Sequence, residues 1–208
     1  LCLVCRMNVE PVRSLARNVP NQQFHSTGDE VNEVARRFVK LLRDRGLPAL
    51  NPPMAFPMEM DRFPGKVWSI SLKTLAVAAG LGRIGIHRNL IHPRFGNFVL
   101  LGCVLLAQEV DTEGQTLDYN PCLECKLCVA ACPVGAISPA GDFDFGSCYT
   151  HNYREFMGGF TDWVETVAES KNAVDYRQRV HDGESASMWQ SLSFGANYKA
   201  AYCLAVCP

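Results

Sequence analysis

Pro121-Cys122-Leu123-Glu124-Cys125-Lys126-Leu127-Cys128-Val129-Ala130-Ala131-Cys132-Pro133 carries the spacing C-x2-C-x2-C-x3-C-P. Two-residue gaps let a tight loop wrap one corner of a cube, so Cys122, Cys125 and Cys128 can each reach a different iron of a cuboidal iron–sulfur cluster. Cys132 is expected in a short helix pointing away, and in chains with two such clusters it serves the other one. Pro133 is expected to stop that helix. A closed tetrahedral zinc site is the competing reading, and four cysteines at this spacing rarely build one.

The end of the chain, Cys203-Leu204-Ala205-Val206-Cys207-Pro208, repeats the C-x3-C-P ending. By the crossed pattern, Cys207 completes the first site with Cys122, Cys125 and Cys128, while Cys132 and Cys203 belong to a second site. Cys148 is the remaining cysteine in this region and the natural third ligand there. The position three residues before Cys203 is Ala200, so the second site lacks one thiolate. It is expected to hold a [3Fe–4S] cluster, or a [4Fe–4S] cluster with one ligand that is not cysteine. Cys2, Cys5 and Cys103 read as small hydrophobes: Cys2 and Cys5 fall on opposite faces of a strand, and Cys103 lies inside a buried one.

Outward from the cysteines, the composition is that of a globular chain: 208 residues, 48% hydrophobic, 20% charged, net charge −1. That charge gives no reason to expect nucleic-acid binding. No apolar run is long enough to span a bilayer, and residues 1–8 lack the features of a signal peptide. Both ends are expected to continue in the native product. The ten cysteines, with tight spacings and no export signal, favour metal ligation over disulfides and a reducing, cytoplasmic location.

The order of elements predicts an α+β chain, with an α/β domain over residues 1–115 and a 4Fe–4S domain over 116–208. Residues 1–7 read as a strand. A helix capped near Thr27 is expected to run to Gly46 on Val31, Val34, Ala35, Phe38, Leu41 and Leu42, and its Arg/Lys face reads as solvated. Residues 47–65 are proline-rich and read as a long ordered loop whose Met54, Met58 and Met60 are packing residues. Residues 67–71 read as a strand, 72–79 as a short helix, 97–107 as a strand buried on both faces, and 136–145 as a hairpin.

Between them, Gly80-Leu81-Gly82-Arg83-Ile84-Gly85 matches G-x-G-x-x-G. No strand is expected before it, no long helix after it, and no acidic residue stands at the ribose position, so a dinucleotide fold is rejected. The glycines still imply close backbone approach, to another chain segment or to a flat cofactor, without need of a tight hairpin. Taken singly, His25, His87 and His92 read as packed or surface histidines. Asp29 and Glu30 are expected at a helix N-terminus, where dipole complementarity alone accounts for them.

The run Ala78-Ala79-Gly80-Leu81-Gly82-Arg83-Ile84-Gly85, the His92-Pro93-Arg94-Phe95-Gly96 loop, an apolar strand and the cysteine motif together resemble epoxyqueuosine reductases and the respiratory reductive dehalogenases. The resemblance covers roughly residues 67–148 and 200–208. It implies a nitroreductase-like α/β domain followed by a bacterial-type two-cluster ferredoxin module. It also implies electrons passing through two clusters to a corrinoid (cobalamin) that reduces a small organic substrate, with a ferredoxin or flavodoxin as donor. On this likeness Gly80, Gly82, Gly85, His87, His92 and Gly96 would hold the cofactor, and Asp29 and Glu30 stand near the catalytic acid of the family without matching its motif. The D-x-H-x-x-G cobalt-ligand motif is missing, since His25-Ser26-Thr27-Gly28 lacks the aspartate. The helical-repeat extension that serves tRNA in the epoxide reductases is missing too. The alternatives are flavin in place of the corrinoid, or a non-catalytic electron-transfer protein.

Overall fold

The computed structural model describes residues 1–16, 18–54, 70–111, 114–152, 158–194 and 202–208. In chain order these form β1 (Cys2–Arg6), α1 (Val9–Arg13), α2 (Asn18–Arg43), β2 (Ala49–Leu50), α3 (Leu72–Ala78), β3 (Arg83–Ile84), β4 (Leu90–Ile91), β5 (Val99–Cys103) and β6 (Leu105–Leu106). There follow α4 (Leu127–Ala131), α5 (Phe145–Asn152), α6 (Gly158–Glu169), α7 (Ala173–Arg179), α8 (Asp182–Phe194) and α9 (Tyr202–Val206). Helices and small antiparallel sheets are thus mixed, an α+β arrangement.

The centre of the first half is β5, buried along its whole length and paired antiparallel with β1 in the register Cys2↔Cys103 to Arg6↔Val99. Alternation along a strand sends successive side chains to opposite faces, and here each face meets a helix. Val99 and Leu101 pack with Ala76 of α3 and Leu90. On the other face, Phe98 and Leu100 join Met7 and Val12, and α2 comes so close that a Cβ on Gly102 would lie 2.9 Å from a Val31 methyl. That double cover explains the unbroken apolar run. Cys2 and Cys103 sit opposite each other on the α3 face, and Cys5 lies on the α2 face.

The first long helix begins at Asn18, not near Thr27. Pro20 falls in its first turn, where a missing N–H leaves no intrahelical bond unmade. Asp29 and Glu30 therefore stand in the middle of the helix, exposed, rather than at an N-terminus. Gly28 is inside the helix because the Met54 methyl fills the space a side chain would need, 2.7 Å from an added Cβ. Asn32 pins that loop by accepting from the Met54 N–H at 2.8 Å. Beyond α2 the chain turns at Gly46, φ +77°. The basic face is partly matched by its own acids: Arg36 and Arg37 pair with Glu33, and Lys40 with Asp44. Met58, Met60 and most of the expected strand at 67–71 lie outside the described residues.

The loop at 80–96 differs from expectation. It contains a two-residue hairpin, β3 against β4 in the register Arg83↔Ile91, Ile84↔Leu90. Residues 136–145 do form a hairpin, bridged at Ile137↔Phe143. Three helices, α6 to α8, follow α5, and their Trp163 indole N–H donates to Tyr176 Oη at 2.9 Å. Among the described residues no helix is long and apolar enough to cross a membrane.

The last helix, α9, packs on α4 and on α1. Leu204 enters the cluster of Met7, Val12, Phe98 and Leu100, and its carbonyl accepts from the buried Asn97 side chain at 3.2 Å. Cys203 and Cys207 flank this anchor. Leu204→Ala is expected to lower unfolding free energy by about 2–5 kcal/mol, as for other buried leucines, read from a denaturant titration against an exposed control such as Leu192→Ala.

Candidate iron–sulfur centre

The short helices α4 and α9 each lead into a Cys-Pro pair, and they pack against one another. Five residues are too few to hold a helix in isolation, so both depend on what surrounds them. From α4 and the turn before it come Cys122, Cys125 and Cys128. Cys132 caps the end of α4.

Cys122, Cys125, Cys128 and Cys207 line one cavity of about 100 Å³, together with His87, Ile91, Pro121, Leu127 and Pro208. Burial, then Cys122, Cys125 and Cys128, push the Cys207 thiol up to about 11, with Arg13 pulling the other way. Burial and the neighbouring Cys122 and Cys125 raise Cys128. A zinc ion needs each sulfur about 2.3 Å from one point. Among the described residues no three His, Cys, Asp or Glu side chains are gathered to hold one metal ion. Four thiols spread around a cavity instead suit a cluster with its own irons and sulfides.

Cys203 does not line that cavity. Burial pushes its thiol up to about 12, followed by Cys148, Cys128 and Cys132. Cys148, on α5, is raised by burial, lowered by a hydrogen bond from the Asn152 amide, and raised by Cys132. The Asn152 Nδ2–Sγ distance is 3.2 Å, and Cys132 Sγ accepts from the Ala136 N–H, also at 3.2 Å. Cys132, Cys148 and Cys203 thus form a second thiol group beside the first. Ala200 lies outside the described residues. Cys2, Cys5 and Cys103 lie on the β1–β5 pair.

Lys73 adjoins this second group. It is exposed and its ammonium donates to the Arg88 carbonyl at 2.6 Å. Desolvation lowers its pKa, against the raising pull of Cys148 and Cys203. Neither Lys73 nor Asn152 is singled out by the sequence. Asn152 had a legible signal, one helical turn after Cys148; Lys73 had none.

The glycine loop is occupied by protein. An added Cβ would lie 2.3 Å from the Gln115 carbonyl oxygen at Gly80 and 2.3 Å from that of Ile91 at Gly82. At Gly85 it would lie 3.3 Å from Cys122 Sγ, and at Gly96 2.9 Å from the Pro208 oxygen. Close approach of other chain segments therefore accounts for glycine at these positions. The loop forms a wall of the first thiol site. His92 stacks on Phe95 with ring centroids 4.7 Å apart, and its Nδ1 accepts from the Arg94 N–H. Asp29 and Glu30 lie on α2 and line none of the thiol cavity.

The family model and the sequence relatives point to iron–sulfur chemistry as well. A family model described as "4Fe-4S binding domain" matches residues 116–138. The epoxyqueuosine reductase of Leadbetterella byssophila is 31% identical over 100 residues, covering 44% of this chain and 32% of that protein. That of Synechococcus sp. (strain CC9605) is 38% identical over 65 residues, 31% of this chain and 20% of that protein. That of Gloeobacter violaceus is 35% identical over 100 residues, 48% of this chain and 30% of that protein. Among solved structures, epoxyqueuosine reductase from Streptococcus thermophilus aligns over 58% of this chain and 28% of its own, with 22% identity and a TM-score of 0.38. The chain spans a third or less of the length of these relatives.

Proposed function

We propose that this epoxyqueuosine-reductase-like iron–sulfur protein is the electron-carrying part of a reductase, with one cluster on Cys122, Cys125, Cys128 and Cys207 and a second on Cys132, Cys148 and Cys203. One observation carries the reading: four thiols surround a single cavity and three more adjoin it across one helix pair. Bound there, the clusters supply one-electron transfer; the protein contributes ligation, exclusion of water by the glycine loop, and local charge from Lys73. Adjacent clusters suit stepwise passage from a low-potential donor such as a ferredoxin or flavodoxin in the cytoplasm to an organic acceptor. The finer elements, a nitroreductase-like first domain, a corrinoid as the group that meets a small substrate, and Asp29 or Glu30 as its acid, rest on family likeness.

The filled glycine loop favours a second reading, an electron-transfer module whose first half serves for docking. Two measurements on anaerobically purified protein separate these. Iron and acid-labile sulfide are expected in near-equal amounts at about seven or eight per chain; stoichiometric zinc without sulfide overturns both readings. Equilibrium dialysis of the cluster-replete protein against hydroxocobalamin and flavin then decides between them, uptake supporting the reductase and no uptake the module.

A further inference from the structure

The first thiol cavity contains a side chain that the ligand set leaves unused. His87 is only 4% exposed and lines the cavity beside Cys122, Cys125, Cys128 and Cys207. Its Nδ1 accepts from the Asn89 N–H at 3.1 Å. In a neutral imidazole with Nδ1 accepting, the proton resides on Nε2. Among the described residues Nε2 has no hydrogen-bond partner.

A buried donor with no acceptor is costly, and this one is held firmly. An added Cβ on Gly85 would lie 3.0 Å from His87 Cε1 and 3.3 Å from Cys122 Sγ. Glycine at 85 is what lets the ring and the thiol share that wall. We propose that His87 Nε2–H donates a hydrogen bond to a sulfur of the cluster held by Cys122, Cys125, Cys128 and Cys207. This rests on the cluster assignment above and adds to it a residue that sets the potential. A donor to sulfur stabilises the more negative, reduced cluster and so raises its potential.

Paramagnetic resonance during a redox titration of the full, cluster-loaded chain tests this. His87→Phe, which keeps a ring and removes the donor, is expected to lower one cluster's midpoint and leave the other in place. The expected size is about tenfold in the reduced-to-oxidised ratio at fixed ambient potential, about 59 mV for a one-electron couple. Hyperfine measurement on the natural protein labelled with [15N]histidine gives an independent readout that no variant's folding can obscure. One histidine nitrogen and one exchangeable proton should couple to one reduced cluster. Cluster signals with no such coupling overturn the proposal, as does an unchanged pair of potentials, or an equal shift of both, in a loaded His87→Phe protein. If the natural protein instead shows no iron–sulfur signal at all, the cluster assignment falls, and this proposal with it.

Discussion

Replacing Cys207 by Ser is expected to remove the cluster formed with Cys122, Cys125 and Cys128, although Cys207 belongs to a separate motif. Iron per chain should fall by about half, from about seven or eight towards three or four, and the loss should extend to structure. Cys207 follows α9 and its own carbonyl accepts from the Arg13 guanidinium at 3.3 Å, and α9 packs on α4. Without the cluster bonds, two five-residue helices keep only Leu204 and a few hydrogen bonds as anchors, because ligation and folding are coupled in such small modules. Hydrogen exchange should therefore lose protection at residues 127–131 and 202–206 and keep it along β5, whose burial is independent of metal. In the iron-free chain burial first, then the thiols around each, push Cys207 up to about 11 and Cys203 up to about 12. Both are protonated near neutrality, and ligation must displace those protons. Full iron content in Cys207→Ser would mean that this thiol is not a ligand and that the crossed pattern is wrong.

Ala200→Cys is expected to change the identity of the second cluster rather than its presence. The natural protein offers Cys132, Cys148 and Cys203 there; four of its other cysteines line the first cavity and three lie on the β1–β5 sheet. A site with three thiolates holds a [3Fe–4S] cluster, or a [4Fe–4S] cluster with one iron on water or another side chain, and less thiolate charge raises its potential. Oxidised natural protein should show a three-iron paramagnetic signal that Ala200→Cys lacks, and iron loss in air should slow in the variant. Two indistinguishable, air-resistant four-iron signals in the natural protein would show that a fourth ligand is already supplied.

The sequence by itself determined the iron–sulfur chemistry. The spacing of Cys122, Cys125, Cys128 and Cys132 is a local geometric property, the number of residues needed to turn around one corner of a cube, so it survives without knowledge of the fold. The buried strand at 99–103 and the short helix at 72–78 were legible for a similar reason, since their periodicity needs no distant partner. Boundaries depending on a single local rule were less so: Thr27 looked like a cap, but Pro20 is tolerated in a first turn, and that placed Asp29 and Glu30 in mid-helix. Only the tertiary structure decided the use of the glycines. G-x-G-x-x-G reports that something comes close, and the occupants turned out to be Gln115, Ile91 and Cys122, which approach through long-range contacts that no local pattern encodes. The same holds for His87, an ordinary histidine in the sequence. Its burial, its tautomer and its direction follow from Asn89, Gly85 and the thiol cavity, which meet only when residues 80–96 fold against the cysteine loop and the end of the chain.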